Sequence, residues 1–406
     1  MRMQSRAPAC ALLAVCWPVL GNAEEWTEAR VIERFLDQSP YAREARARLE
    51  AARAEAASRT LLPNPSVVAS REGAGYAAFF QIEQQLPISG RRGLLKQAGA
   101  AAVAATESET NTALWSLRME VRGAFYRAVA AQTREAALAD GMRELEEVIR
   151  ILRAREREGE GSRYDRLRAE RELAEYRSQL ALARGDATQA RAALTGFLPD
   201  GVHIPLVTGR LDTLATVPSS DQLHQLALTR RSDYIAEQRQ VERYGLEGRA
   251  DSRLRYPEPI AVAGIKRGDV MEGRTATSPA IGFSIPLPIF NKGQTETARW
   301  RAEQERASAR RDGLARRIRG EIASAVAALE ARKAAIEQYR SEVNQAGLDL
   351  SKIARVSYEE GEIGILELLD SYRVNRQAML RLVDLQVLAK EAQIELDRAV
   401  GEEVVQ

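Results

Sequence analysis

Cysteine, histidine and aromatic residues are scarce in this chain of 406 residues. It contains two cysteines and two histidines, and aromatic side chains make up 5% of it. Both cysteines, Cys10 and Cys16, lie near the N-terminus, so no disulfide can form within the rest of the chain. His203 and His224 have no second ligand at a metal-binding spacing, and no P-loop or dinucleotide-binding glycine turn follows a predicted strand. We therefore predict no enzyme, no cofactor and no metal site.

Long apolar runs and an excess of one charge are also absent. Beyond the N-terminus no apolar run approaches the roughly 20 residues of a transmembrane helix, and the mean hydropathy is −0.34. These values exclude a polytopic helical membrane protein. The chain has 59 Lys and Arg against 57 Asp and Glu, and the two signs are interleaved, as in 153–160. Interleaving is typical of solvated helix faces, so no nucleic-acid partner is predicted.

The N-terminus has the order of a secretory signal. Two arginines precede an apolar segment at 9–20, and small residues follow at 21–23. We predict that residues 1–23 are a signal peptide removed on export. Lipidation of Cys16 is the alternative, but Val15 occupies the position where a small residue is needed, which favours ordinary cleavage.

What the chain does contain is an internal duplication. Three landmarks recur at an offset of roughly 194 to 202 positions. They are Leu62-Pro63-Asn64-Pro65 with Tyr256-Pro257-Glu258-Pro259, Leu86-Pro87-Ile88 with Leu287-Pro288-Ile289, and Gly159-Glu160 with Gly361-Glu362. We predict a first repeat over 24–197, a linker rich in proline and glycine over 198–219, and a second repeat over 220–406.

Each repeat is predicted to have the same internal order. The four parts are a helix (25–60 and 220–253), a β-hairpin (64–86 and 258–287), a long helix (91–158 and 294–360) and a return helix (162–197 and 364–401). The long helix contains no proline and reaches about 100 Å at 1.5 Å per residue. Apolar residues of the return helices alternate by four and three, the spacing of a coiled coil. The predicted fold is mainly α with a small β part, built from long coiled-coil helical hairpins and four strands per chain.

The predicted strands alternate in polarity. Phe80 and Ile82 alternate with Gln81 and Glu83, and a tight turn is expected at 72–75. Ten residues are enough for a tilted strand to cross a bilayer, but a half-buried strand in a soluble sheet alternates in the same way. Four strands cannot close a barrel, and open sheet edges are not tolerated in lipid. Either the strands form a small soluble sheet, or the strands of several chains combine into one barrel, as the twelve strands of a trimer would.

The motifs around the hairpins resemble those of the TolC-type outer membrane efflux proteins. The resemblance rests on Leu62–Pro65 before the first hairpin, Gln85–Gly93 after it and Pro286–Gly293 after the second. It implies a homotrimer with a 12-stranded β-barrel in the outer membrane and a helical tunnel in the periplasm. Its implied partners are a periplasmic membrane-fusion adaptor protein and an inner-membrane pump of the resistance-nodulation-division type. The hairpin exits look most like the heavy-metal efflux, CzcC-like branch.

The resemblance also implies which residues act at the periplasmic opening. Glu367 and Asp370 match the acidic pair that narrows the family's aperture, and Asp165 lies in the corresponding turn of the first repeat. Three chains would bring six carboxylates of this pair around one axis, a ring that favours cations. The alternative is that these acids only suit the start of a helix.

One position departs from the family pattern. Some relatives have an arginine two residues after the glycine matching Gly361, where this chain has Ile363, and Arg163 is the substitute available in the other turn. We expect apolar contacts of Ile363, Ile365 and Leu366 to hold the aperture instead. Their exposed cluster would also be the adaptor's docking surface, together with the tip turns. The turn residues concerned are Gly159, Arg163, Gly361 and Gly364.

Three other functions stay open at this stage. A drug-efflux exit or a type I secretion duct would have the same architecture, because the pump selects the substrate. A secreted coiled-coil scaffold would share the signal and the helices, but it would not need strands of membrane-crossing length in both repeats.

Overall fold

The computed structural model describes residues 25–73, 77–211, 216–271 and 274–404. The predicted signal peptide and part of the predicted turn at 72–75 lie outside the described residues. The first half contains α1 (Glu28–Gln38), α2 (Pro40–Ser58), β1 (Ser66–Glu72), β2 (Ala77–Gln85), α3 (Arg91–Glu158) and α4 (Arg163–Thr195). The second half contains α5 (Ser220–Arg230), α6 (Ser232–Asp251), a 3-10 turn (Ser252–Arg255), β3 (Ile260–Met271), β4 (Arg274–Ser284), α7 (Gln294–Glu359) and α8 (Ile365–Val400).

Glycines in the left-handed conformation bracket the two longest helices. Gly90 and Gly293 precede α3 and α7 with φ of 75° and 77°, and Gly159 and Gly361 follow them with φ of 79° and 80°. A side chain is disfavoured at such angles. The helices have 68 and 66 residues, so each is about 100 Å long. None of the described helices combines the length and the apolar character needed to cross a membrane.

The first helix of each repeat is interrupted, so the single helices predicted over 25–60 and 220–253 are wrong. In the first half Pro40 forces the preceding Ser39 into an extended conformation, and the Ser39 hydroxyl then caps α2 by accepting from the Ala42 N–H at 3.1 Å. In the second half the extended residue is Arg231, with ψ of 114°. Its guanidinium pairs with Asp233 at 2.7 Å and donates to Glu321 on α7 at 2.5 Å.

The strands form one antiparallel sheet in the order β1-β2-β3-β4. The register places Val67 opposite Ile82, and Phe80 opposite Ile265. Ile281 lies opposite Ala263, so apolar side chains from all four strands share one face, where Ile281 is 82% exposed. Within the chain β1 and β4 are edge strands. The predicted mainly α fold with four strands is confirmed, although β1 has only 7 residues.

The core is divided into several seams between helices. The largest surrounds Phe125 on α3 and includes Phe35 of α1 and Trp26. The predicted linker contributes to it, because Ile204 and Val207 are buried there and the Thr208 N–H donates to the Trp26 carbonyl at 3.0 Å. The described part of this segment is therefore packed onto α3 and is not a free connector.

Candidate functional site at the helical tip

The two helical hairpins turn side by side at one end of the molecule, which we call the tip. It comprises the turns at 159–162 and 360–364 and the helix ends that flank them. Arg155 near the end of α3 donates to the Glu359 carbonyl on α7 at 3.0 Å. Its guanidinium carbon also lies 5.6 Å from the ring centroid of Tyr358, which is within cation-π range. The two turns are thus joined within one chain.

Both turns are closed by the same backbone hydrogen bond. The Glu160 N–H donates to the Arg155 carbonyl at 2.9 Å, and the Glu362 N–H donates to the Ser357 carbonyl at 2.8 Å. This bond and the left-handed glycine before it are the features of a Schellman C-cap. After the first turn Ser162 caps α4 by accepting from the Tyr164 N–H at 3.1 Å. The turns therefore set where α4 and α8 begin and how they are rotated.

An apolar seam behind the turns holds the two hairpins together. Its buried members are Leu145, Val148, Ile149, Leu152, Ala169, Leu173, Tyr176, Ile365, Leu368, Leu369 and Tyr372. Ile365 is 5% exposed, whereas Leu366 is 48% exposed and Ile363 is half-buried. The prediction that all three form one exposed cluster is wrong for Ile365. Since α8 begins at Ile365, its helical period turns positions 365, 368, 369 and 372 toward the seam.

The two predicted aperture acids lie on the opposite face of α8. Glu367 and Asp370 are both exposed, and they are one helical turn apart on the same side. The Asp370 carboxylate lies 3.6 Å from the Arg373 guanidinium. Asp165 is not part of this group, because it is half-buried at the start of α4 in the other hairpin. Burial raises the pKa of the Tyr358 hydroxyl, the charge of Asp165 adds to that rise, and Arg155 opposes it.

A cleft of about 880 Å³ separates the first turns of α4 and α8. Glu367 and Asp370 line one side of it, and Arg168 and Arg171 of α4 line the other. The cleft therefore carries charges of both signs. Arg163, the predicted substitute for the missing arginine, is exposed and pairs with no carboxylate in the described part of the chain.

Sequence reasoning missed the contacts that fix α8 against α4. Glu172 on α4 lies 3.5 Å from both Arg373 and Arg376 of α8. The Arg376 guanidinium also lies 4.3 Å from the ring centroid of Tyr176, whose hydroxyl donates to the Tyr372 carbonyl at 3.4 Å. No local pattern signals these contacts, because Glu172 and Arg376 are 204 positions apart.

No set of three or more potential metal ligands occurs among the residues that the structure describes. His224 is buried, and its Nε2 atom lies 3.4 Å from the Ala315 carbonyl.

Comparison with known proteins connects this architecture to outer membrane proteins. A sequence model described as "Outer membrane efflux protein" matches residues 31–198. The outer membrane efflux protein BepC of Brucella suis is 28% identical over 66% of this chain, and the match spans 60% of BepC itself. The cobalt-zinc-cadmium resistance protein CzcC of Cupriavidus metallidurans is 27% identical over 70% of this chain and 68% of its own length.

Solved structures share the fold at lower sequence identity. The open state of the MtrE outer membrane channel of Neisseria gonorrhoeae superposes with a TM-score of 0.72 at 19% identity, covering 93% of this chain and 89% of MtrE. CusC, solved in a study of transmembrane channel formation, gives a TM-score of 0.69 at 18% identity and covers 92% of both chains.

Proposed function

We propose that this chain is an outer membrane efflux protein and forms the outer membrane exit duct of a tripartite efflux system, because the model of that family matches residues 31–198. The family consists of outer membrane channels, not enzymes. In the proposed role the chain is a passive conduit. A periplasmic membrane-fusion adaptor connects it to an inner-membrane pump of the resistance-nodulation-division type, which supplies the energy.

Three copies are needed to form a pore in this proposal. The sheet of one chain has an apolar face and two unpaired edges, at β1 and β4. Lipid does not tolerate such edges. Pairing β4 of one copy with β1 of the next satisfies both edges and produces twelve strands around one axis. The long helices of the three copies then surround a common tunnel.

The observation that carries the transport proposal is the orientation of Glu367 and Asp370. The apolar seam fixes the rotation of α8, so both carboxylates point away from the chain's own core. In a trimer they would form a ring of six acids at the tip. Such a ring attracts cations and repels anions, which suits the export of heavy-metal cations. Similarity to CzcC, a cobalt-zinc-cadmium resistance protein, supports the same substrate class.

Ion selectivity in planar bilayers tests the acidic ring. We expect Glu367→Gln combined with Asp370→Asn to lower the preference for potassium over chloride. The matched control is Glu158→Gln with Glu160→Gln, which removes two exposed acids from the other turn of the tip. Equal selectivity in wild type and the first variant would mean that the acids serve only the start of α8.

Deletion of the gene tests the substrate class. Loss of tolerance to zinc, cadmium or cobalt, restored by the wild-type gene, is expected for a heavy-metal duct. Unchanged metal tolerance with lost drug tolerance would overturn the metal proposal in favour of a drug-efflux channel. A defect confined to an exported protein would favour a type I secretion duct.

The proposed docking surface for the adaptor lies at the tip. It comprises the exposed Gly159, Arg163, Gly361, Gly364 and Leu366 and the half-buried Ile363. Ile365 is left out because it is buried within the chain. We expect Leu366→Glu to abolish crosslinking to the adaptor in cells while the duct remains trimeric. Unchanged crosslinking would place the docking surface elsewhere on the helices.

A further inference from the structure

Where the strands meet the helices, the surface is strongly basic. The four segments at this junction, 59–65, 86–100, 248–259 and 285–300, contain nine Arg or Lys side chains and three acidic ones, and two of the nine, Arg59 and Arg91, pair with Glu247 and Asp251. Asp251, one of the three acids, is buried, and it accepts from Arg91 at 2.9 Å and from the Trp300 indole at 2.8 Å. Glu258 accepts from Gln85 at 2.9 Å and from Ser89 at 2.5 Å. Two of the three acids are thus engaged in internal contacts.

Among the junction arginines that are exposed and have no carboxylate partner within the described part of the chain, three lie against an aromatic ring. They are Arg253, Arg255 and Arg299. The guanidinium carbons of Arg253 and Arg255 are 5.7 and 4.9 Å from the ring centroid of Tyr256. That of Arg299 is 4.3 Å from the ring centroid of Trp300. We call these five residues the basic girdle.

The basic girdle borders the apolar face of the sheet. That face continues past the end of β4 through Leu287 and Ile289, which are 70% and 63% exposed, to Phe290, which is 91% exposed. A crevice of about 210 Å³ is lined by Arg253 and Tyr256 together with Leu287 and its neighbouring prolines. Arginine and apolar surface therefore meet in one small depression. Tyrosine and tryptophan are the residues enriched where a bilayer meets water.

We propose that the basic girdle binds the phosphate groups of anionic phospholipids in the periplasmic leaflet of the outer membrane. Guanidinium groups bind phosphate oxygens through paired N–H donors, while the neighbouring apolar residues contact the acyl chains. Arg253, Arg255 and Tyr256 precede β3, an internal strand of the sheet. A neighbouring copy pairing at β1 or β4 would therefore leave them accessible to lipid. The inference rests on the outer membrane placement but not on transport.

Native mass spectrometry of the purified trimer with added lipids tests this proposal. We expect wild type to retain phosphatidylglycerol but not phosphatidylethanolamine, and to lose the bound lipid as salt is raised. The variant with Arg253→Gln, Arg255→Gln and Arg299→Gln should bind phosphatidylglycerol roughly a hundredfold more weakly, since each of the three cations near an anionic surface contributes on the order of a fivefold change. Inorganic phosphate should not compete, because the acyl chains contribute to binding.

The matched control removes three other exposed arginines, by Arg316→Gln, Arg317→Gln and Arg319→Gln. They lie on α7 about 25 Å or more beyond Arg299, and phosphatidylglycerol binding should be unchanged. Equal losses in both variants, or equal retention of the two lipids by wild type, would overturn the proposal. If the first variant does not assemble into a trimer, the salt dependence of lipid binding by wild type is the remaining test. Loss of bound phosphatidylglycerol as salt is raised supports the proposal, and retention contradicts it. A trimer that binds lipid but does not conduct ions would refute the proposed channel function without contradicting lipid binding by the basic girdle.

Discussion

Arg122 on α3 and Asp397 on α8 form an ion pair inside the wall of helices. The guanidinium donates to the Asp397 carboxylate at 2.6 Å, and the two side chains are 5% and 0% exposed. The Arg122 Nε–H also donates to Glu28 of α1, and the Val404 N–H donates to Asp397 at 2.9 Å. One buried cation thus connects the first helix, the first long helix and the C-terminal segment.

Removing that cation should be costly. Arg122→Met leaves Asp397 buried without its partner, and we expect the free energy of unfolding to fall by about 3 to 5 kcal/mol. The control is Arg239→Met, which removes an exposed pair with Glu242 at 3.0 Å and should cost less than about 1 kcal/mol. Denaturant unfolding followed by circular dichroism measures both. Equal costs would mean that the buried pair contributes no more than a surface pair.

The contact of Arg155 with Glu359 should keep the two turns of the tip together. Arg155→Ala removes both the hydrogen bond and the ring contact with Tyr358, so we expect faster amide hydrogen exchange over residues 352–364. Arg157→Ala is the matched control, because Arg157 is exposed and, among the described residues, donates only to the Arg153 carbonyl of its own helix. Similar exchange in the two variants would contradict a specific role for Arg155.

Neighbouring leucines on α8 should differ in their contribution to stability. Leu368 is 0% exposed in the apolar seam, and its truncation to alanine should cost about 2 to 5 kcal/mol. Leu366 is 48% exposed, and the same truncation should cost within about 0.5 kcal/mol. Thermal unfolding of both variants measures the difference. A larger loss at Leu366 would mean that α8 is rotated differently from the structure.

The two faces of β4 should respond differently to a new charge. Ile281 lies on the apolar face, and Ile281→Arg should cost about 2 to 4 kcal/mol if that face contacts lipid. Ala280→Arg on the opposite face, which it shares with Gly264 and Gln81, should be tolerated. The measurement is the fraction of protein recovered from outer membranes as heat-sensitive trimer. Normal recovery of Ile281→Arg would contradict a lipid-facing position.

Tyr358 should ionise later than an ordinary tyrosine. Its raised pKa arises from burial and the charge of Asp165. A raised pKa means that the folded state favours the neutral phenol. The stability contributed by this preference is complete below a pH of about 10, and it is lost as pH rises through the pKa of the folded state. Absorbance at about 295 nm, compared with Tyr358→Phe, follows the ionisation. Arg155→Ala should delay it further by removing the opposing cation, and earlier ionisation in that variant would contradict this electrostatic account.

Much of the fold can be predicted from local patterns. Glycine at positions 90, 159, 293 and 361 marks the ends of the long helices, because only glycine adopts the left-handed conformation freely. Alternation at Phe80 and Ile82 shows which side of β2 is apolar. The candidate site was predictable to the same extent: the repeat and the family motifs locate Glu367 and Asp370, but not the contacts around them.

Contacts between distant segments could not be predicted in this way. The break at Arg231 has no proline to signal it and is stabilised in part by Glu321, some 90 positions away. Ile365 reads as an apolar residue beside a turn, and only its packing against α3 and α4 shows that it is buried.

The sequence by itself determined the duplicated order of helices and strands. Proline, glycine and the spacing of apolar residues set the backbone conformation of the few residues around them. Tertiary structure decided the rotation of α8, the docking of the segment after α4 and the pairing of Arg155 with the second hairpin. Those features depend on contacts between side chains about 200 positions apart. Local patterns are compatible with several such packings, and burial and charge pairing select one of them.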